Sequence, residues 1–312
     1  MDKMESRNKF KNKLIYYITI SLSTILIIAN IYFIKSNINL KENIQTNQKE
    51  LSTYKEEQKH NNNELTKLEK EINEIKNIDT SIENTKKEYY QTLKIFEDKV
   101  VNKETNYKIA YLTFDDGPYY LTHNFLEVLE KYNVRATFFT IGLDKEKCYD
   151  DRSKSCQELY SKIAKLGHTM ANHTYSHSIF NGIYSSSDSF IDSVKKQEEL
   201  IKNKTGITTN IVRFPGGSSS SKNLKFEIIN KLRNMNYGWI DWTASNGDGG
   251  YIKDTTTAMN NLKNTINQDI EVILFHDYSY ITLSILPEVI EYLQNQNYVL
   301  LPLFYESKMV NK

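Results

Sequence analysis

The sequence predicts an α/β fold for roughly its last two hundred residues, a parallel sheet either open or closed into a barrel, preceded by a transmembrane helix and a helical stalk. Three observations carry this. Short apolar runs alternate with helical patterns from about residue 107 to 305, which is the mark of repeated βα units. Twenty-one consecutive residues, 14–34, carry no charge. Between the two lies a long segment without Pro or Gly, rich in Lys, Glu, Asn and Gln.

Residues 1–13 form a basic segment with Lys3, Arg7, Lys9, Lys11 and Lys13. The apolar stretch 14–34 covers about 30 Å at helical rise, the thickness of a bilayer core. Basic residues ahead of it place the amino terminus in the cytoplasm and the rest outside, in a single-pass cell-membrane protein. A cleaved signal peptide would have a shorter core ending in small residues. Here Ile31-Tyr32-Phe33-Ile34 runs straight into Lys35, which favours a retained signal anchor.

Residues 35–103 read as a helical, coiled-coil-like stalk. With Leu51 as an a position, Leu51, Tyr54, Leu65, Leu68, Ile72, Ile75, Ile82, Tyr89, Leu93 and Phe96 fill most a and d sites, while Gln58, Asn61, Asp79 and Lys86 interrupt them. That supports a coiled coil with a weak middle and a homodimer through the stalk. A flexible charged spacer, broken at Asn61-Asn62-Asn63, is the alternative.

The α/β domain is assigned to 104–308. Strands are expected at 108–114, 136–141, 211–214, 237–241, 271–275 and 298–302. Helices are expected at 124–132, 156–166, 189–204, 225–235 and 285–294. There is no Gly-rich phosphate loop and no internal repeat. A net charge of +1 gives no basic surplus, and no nucleic-acid partner is expected.

Two fragments carry chemistry. His173-Thr174-Tyr175-Ser176-His177 places two imidazoles four apart, able to face the same way on a helical turn. Thr113-Phe114-Asp115-Asp116-Gly117-Pro118 ends a strand in a pair of carboxylates. Two imidazoles and one carboxylate hold a divalent metal and leave positions open, and the second carboxylate is then free to act as a base. Each fragment alone also has a bland reading, since HxxxH arises by chance and Asp-Asp-Gly-Pro is a good turn sequence.

Further on, Arg213-Phe214-Pro215-Gly216-Gly217, Asp241-Trp242 and Leu274-Phe275-His276-Asp277 each close a strand. In this order the five motifs resemble those of the polysaccharide deacetylase family, the NodB-homology or carbohydrate esterase family 4 domain. The resemblance implies a distorted (β/α) barrel that removes acetyl groups from sugars with one divalent transition metal, zinc first, or cobalt, nickel or manganese. It implies Asp116, His173 and His177 as ligands, Asp115 as the base acting on a metal-bound water, and His276 as the acid. It also implies Arg213 holding the base, Asp241 pairing with the acid, Trp242 and Leu274 walling the acetyl pocket, and Gly216 contributing its backbone N–H to the oxyanion. Many members carry Tyr where this chain has Gly216, so one wall of the groove is missing.

Cys148 and Cys156 are the only cysteines. An even pair outside the membrane is a disulfide candidate, with two free thiols as the alternative. His168 matches a family position that is not a ligand, so a structural role is expected for it, and His123 and His60 have no constellation around them. The anchor and stalk suggest a target near the membrane, so peptidoglycan is the expected substrate, and the resemblance, through the intact DDGP and HxxxH, implies its N-acetylglucosamine. A secreted polymer such as poly-N-acetylglucosamine or chitin-like chains, or a non-catalytic glycan-binding scaffold on the same fold, are the alternatives. The full chain is expected to sediment with membranes and to be released by detergent but not by high salt. A mature chain beginning beyond Ile34 would contradict the anchor.

Overall fold

The computed structural model describes residues 80–142, 156–180 and 182–312. The basic segment, the apolar stretch 14–34 and most of the stalk lie outside the described residues, as does segment 143–155 with Cys148, and with it the Cys148–Cys156 bridge. Among the described residues no helix is long and apolar enough to cross a membrane.

The elements run α1 (Thr80–Val101), β1 (Lys108–Asp115), α2 (Thr122–Lys131), β2 (Thr137–Thr140), α3 (Cys156–Lys165), β3 (Thr169–Asn172), α4 (Ser187–Thr205) and β4 (Ile211–Val212). A 3₁₀ helix (Ser218–Leu224) follows, then α5 (Lys225–Asn234), β5 (Gly238–Trp239), β6 (Ala244–Ser245), α6 (Thr255–Thr265), β7 (Ile270–His276), α7 (Tyr280–Asn295) and β8 (Tyr298–Leu301). All strand pairs are parallel, in the order β5-β4-β3-β2-β1-β7-β6, with β8 beside β1. β2 and β8 share one edge of β1, β8 pairing with its first half and β2 with its last residues.

β1 and β7 sit at the centre and are buried along nearly their whole length, as expected for strands covered on both faces. Phe114 on β1 points away from the site and packs with Phe125 of α2, Phe138 of β2 and Phe275 of β7, at ring centroid distances of 5.1–5.7 Å. Each ring contributes about 2–3 kcal/mol through burial. The opposite face carries Thr113, Asp115, Leu274 and His276, in register across β1 and β7.

The sheet curls. β4 lies three strand intervals from β1, about 14 Å if flat. Yet Arg213, the residue after β4, reaches Asp115 of β1 with its guanidinium at 2.8 Å. Only a strongly bent sheet permits this, so the architecture is a half-barrel of the distorted (β/α) kind. At the β5 end the edge is covered by a two-bond bridge between Trp239 and Asn311.

Three elements were not foreseen from sequence: β3, β6 and α6. Each strand is four residues or fewer, too short to show alternation. The α6 sequence is rich in Thr and Asn, weak helix formers, but Asp254 caps it by accepting from Thr257 N. α7 starts five residues earlier than the expected 285, at Tyr280, where Ser279 caps it by accepting from Thr282 N, and Pro287 lies inside it.

The compact unit that contains the sheet runs from Phe96 to Lys312. Glu97 is fully buried in it and accepts from Tyr111 Oη at 3.0 Å, Ser307 Oγ at 2.6 Å and Lys308 N at 2.9 Å. Removing that carboxylate takes the acceptor from two buried hydroxyls and one partly buried N–H, and a buried donor left unsatisfied costs about 1–3 kcal/mol. Glu97→Ala is therefore expected to lower unfolding free energy by about 2–4 kcal/mol in chemical denaturation, and a loss below about 1 kcal/mol would contradict this.

Candidate active site

Because the strands are parallel, their carboxyl ends meet at one edge, where such folds build sites. Asp115 ends β1 and His276 ends β7, and the two are register partners. His173 follows β3 directly, its N–H donating to Thr140 O at 2.9 Å. Arg213 follows β4, its N–H donating to Asn172 O at 2.9 Å. Neighbouring strands thus deliver these residues side by side.

The two imidazoles do not sit on a helical turn, as the spacing first suggested. They flank an irregular loop in which Thr174 and His177 have φ values of 65° and 49°. Thr174 N donates to Asn172 Oδ1, Tyr175 N to Ser193 O and Oγ, and His177 N to Thr174 Oγ1. The fold-back brings the imidazole centroids to 4.9 Å. Asp116 is left-handed as well, φ 70°. Three non-glycine residues in this sparsely allowed region within one site mark a backbone held by its surroundings.

Asp116, His173 and His177 present ligand atoms that all lie within 4.8 Å of one another. His177 Nε2 is 3.1 Å from Asp116 Oδ1 and His173 Nε2 is 3.5 Å from it. Asp116 Oδ1 is buried without a hydrogen-bond partner, an arrangement that costs free energy unless something positive fills the gap. His173 Nδ1 donates to Arg213 O at 2.8 Å, which commits the proton to that nitrogen and turns the Nε2 lone pair inward. Burial pushes the His173 pKa down to about 3, so the ring is neutral. A neutral imidazole, a second imidazole and an orphaned carboxylate oxygen fit a divalent transition metal.

Asp115 is buried beside this group with a different partner. Arg213 is fully buried and donates through Nη1 to Asp115 Oδ1 at 2.8 Å and Thr113 Oγ1 at 2.7 Å, through Nη2 to Asp241 O at 3.1 Å, and through Nε to Ile240 O at 3.3 Å. Its guanidinium lies 4.1 Å from the Phe139 ring centroid. Burial pushes the Asp115 carboxyl above its ordinary range, and the Arg213 charge and hydrogen bond pull it back towards ionisation.

The pairing of His276 differs from expectation. Asp241 does not meet that imidazole. Its carboxylate accepts from Ser218 N at 2.8 Å and Ser218 Oγ at 2.5 Å, because the turn after β4 folds over it. The partner is Asp248, whose Oδ1 accepts a hydrogen bond from His276 Nδ1 at 2.7 Å. Its Oδ2 accepts from His276 N at 2.9 Å and Thr282 Oγ1 at 2.5 Å. Asn246-Gly247-Asp248-Gly249 looks like an ordinary turn in sequence, which hid this residue. Gly249 is required beside it, since a Cβ there would come within 2.9 Å of His276 Cε1. Burial opposes the imidazolium, but the Asp248 hydrogen bond and charge, with Asp115 and Asp116, outweigh it and push the His276 pKa up to about 9.

Leu274 lies on the same face as His276, two residues earlier on β7. Trp242 Cη2 sits 3.2 Å from where a Cβ on Gly217 would project. Gly216 is exposed with φ 70°, and a Cβ on it would press on Ser220 Oγ at 2.9 Å and Ile179 Cδ1 at 3.2 Å. His168 stays structural, its Nδ1 accepting from Ala136 N at 3.0 Å in a buried site.

Residues 102–236 match the family model described as polysaccharide deacetylase. The solved catalytic domain of peptidoglycan N-acetylglucosamine deacetylase from Eubacterium rectale is 34% identical, with a TM-score of 0.60 over 66% of this chain and 93% of that one. A peptidoglycan-N-acetylglucosamine deacetylase of Bacillus cereus is 29% identical over 61% of this chain and 67% of its own length. A bifunctional xylanase/deacetylase of Pseudobutyrivibrio xylanivorans is 30% identical over 66% of this chain. The chain spans about a third of the latter's length, 32%.

In metal-free protein the His276 imidazole is expected to titrate near 9 by NMR, and Asp248→Asn to bring it down by one unit or more. Because the folded value lies above the ordinary 6.5, the pair's stabilisation is complete below about pH 6.5 and is lost as pH rises through about 9. Asp241→Asn should leave this titration nearly unchanged. The reverse pattern would contradict the assignment.

Proposed function

This chain belongs to the polysaccharide deacetylase family, and we propose that it is a metal-dependent deacetylase of the N-acetylglucosamine in peptidoglycan, held at the membrane by its apolar segment. The observation that carries the chemical part is the division of two neighbouring carboxylates. Asp115 is bound by Arg213, while Asp116 sets an oxygen with no hydrogen-bond partner beside the ring nitrogens of His173 and His177.

Acetamide hydrolysis requires one proton to leave the attacking water and one to reach the leaving nitrogen. The base and acid must begin in opposite states. Asp115, held by Arg213 Nη1 through Oδ1, accepts the first proton at Oδ2, the oxygen that Arg213 does not bind. His276, charged through Asp248, delivers the second from Nε2, the nitrogen not bonded to Asp248. Asp116, His173 and His177 would hold the metal, which supplies Lewis-acid polarisation of the carbonyl and a more acidic water. Gly216, exposed after β4, would offer its backbone N–H to the developing oxyanion. Leu274 and Trp242 supply apolar surface for the acetyl methyl.

The choice of peptidoglycan rests on likeness to two peptidoglycan N-acetylglucosamine deacetylases, those of Eubacterium rectale and Bacillus cereus, and on the anchor and stalk read from sequence. The test is acetate release from peptidoglycan and, separately, from an N-acetylglucosamine oligomer, using zinc-loaded protein. Release from muropeptides is expected, with Asp115→Asn lowering the rate at least about 100-fold, the scale of a general base, and keeping zinc bound. His173→Ala should lose zinc and activity together. Release from the oligomer alone would favour a secreted polymer, and none from either would favour a glycan-binding scaffold.

A further inference from the structure

Four tyrosines extend outward from the acid side of this site. Tyr278 lies 5.0 Å from the His276 ring, centroid to centroid. Tyr119 meets Tyr278 at 5.9 Å, edge to face, and Tyr120 at 4.6 Å. Tyr120 in turn meets Tyr280 at 5.9 Å. Tyr119, Tyr120 and Tyr278 are half-buried, and Tyr280 at the end of the row is 62% exposed.

The row follows from the sheet register. β1 and β7 are adjacent and end opposite each other at Asp115 and His276, so the segments that follow them leave the sheet together. One segment contributes Tyr119 and Tyr120, the other Tyr278 and Tyr280. Both are anchored. Tyr119 N donates to Thr122 Oγ1 at 2.7 Å, and Thr122 Oγ1 donates to Asp277 Oδ2 at 2.5 Å. Ser279 caps α7 by accepting from Thr282 N, which fixes Tyr280 at the first helical position. These rings are therefore presented from a fixed frame, with little rotamer entropy left to lose on binding.

Mutual packing alone would favour a buried cluster, whereas the three inner rings are only half-buried and the outermost, Tyr280, is exposed. Tyrosine joins an apolar face to a polar rim, and it is enriched where proteins grip partly polar ligands. A pyranose ring matches this surface, with C–H bonds on its faces and hydroxyls at its edge. The ring-to-ring steps of 4.6–5.9 Å are of the size of one sugar unit. We propose that Tyr119, Tyr120, Tyr278 and Tyr280 form a stacking platform for the sugar units flanking the one whose acetamide reaches His276. The identity of those sugars as N-acetylated rests on the deacetylase reading. The platform makes the protein a reader of chains rather than of single sugars.

The test measures binding by the full chain of an N-acetylglucosamine hexamer and dimer, independently of turnover. Wild type is expected to bind the hexamer at least tenfold tighter than the dimer. Tyr120→Ala/Tyr280→Ala should abolish that preference, and Tyr120→Phe/Tyr280→Phe should retain most of it, since the ring and not the hydroxyl carries the stacking. Phe226→Ala, at an exposed ring elsewhere (78% exposed), should leave the preference as it is. Equal binding of hexamer and dimer by wild type, or a preference that survives the double alanine variant, would overturn the platform. Hexamer binding through these tyrosines without acetate release from any substrate would instead overturn the deacetylase reading and leave the platform standing.

Discussion

The buried guanidinium of Arg213 is the contact on which the site's geometry depends. It follows β4, yet four of its bonds end on β1 and on residues 240 and 241. It therefore ties the curl of the sheet to the position of the base. Taking such a charge out of water is costly, and the arrangement is sustained because Asp115, Thr113 and two carbonyls satisfy the fork while Phe139 covers its face. A lysine offers a point charge where this site uses a planar fork. Removing either partner of the pair would leave a buried charge uncompensated, which typically costs about 3–5 kcal/mol.

From that contact the roles of neighbouring groups separate. Asp115 and Asp116 are adjacent in sequence, but the strand ends between them. Asp115 stays in the sheet against Arg213, and Asp116 turns left-handed toward the histidines. The histidines separate in the same way. Burial pushes both His173 and His276 towards the neutral form. For His173 burial prevails, giving about 3, whereas Asp248 reverses the effect at His276, giving about 9. A single low-dielectric pocket thus holds one neutral lone-pair donor and one charged proton donor, and the difference is a carboxylate.

Much of this was legible in the sequence, for physical reasons. β1 and β7 are continuous apolar runs, so burial on both faces could be read directly, and the polar residues that end them stood out. Asp116, His173 and His177 could be grouped because their donor chemistry is distinctive, and the structure brings them together. Asp248 could not be seen, since its role depends on a loop returning to β7 and its local sequence is that of a turn. The neighbouring Asp241 was the more visible acid and proved to be bonded to Ser218. The tyrosine row was equally hidden, because it arises from the register of two strands some 160 residues apart. The anchor, the stalk and Cys148 lie outside the described residues.

The most direct test of the account is the anomalous diffraction of zinc-loaded crystals of this protein. The account predicts one strong peak bounded by Asp116 Oδ1, His173 Nε2 and His177 Nε2, with Asp115 outside the ligand set and still bonded to Arg213. A peak ligated by Asp115, or one away from the two histidines, would contradict the division of labour between the paired aspartates.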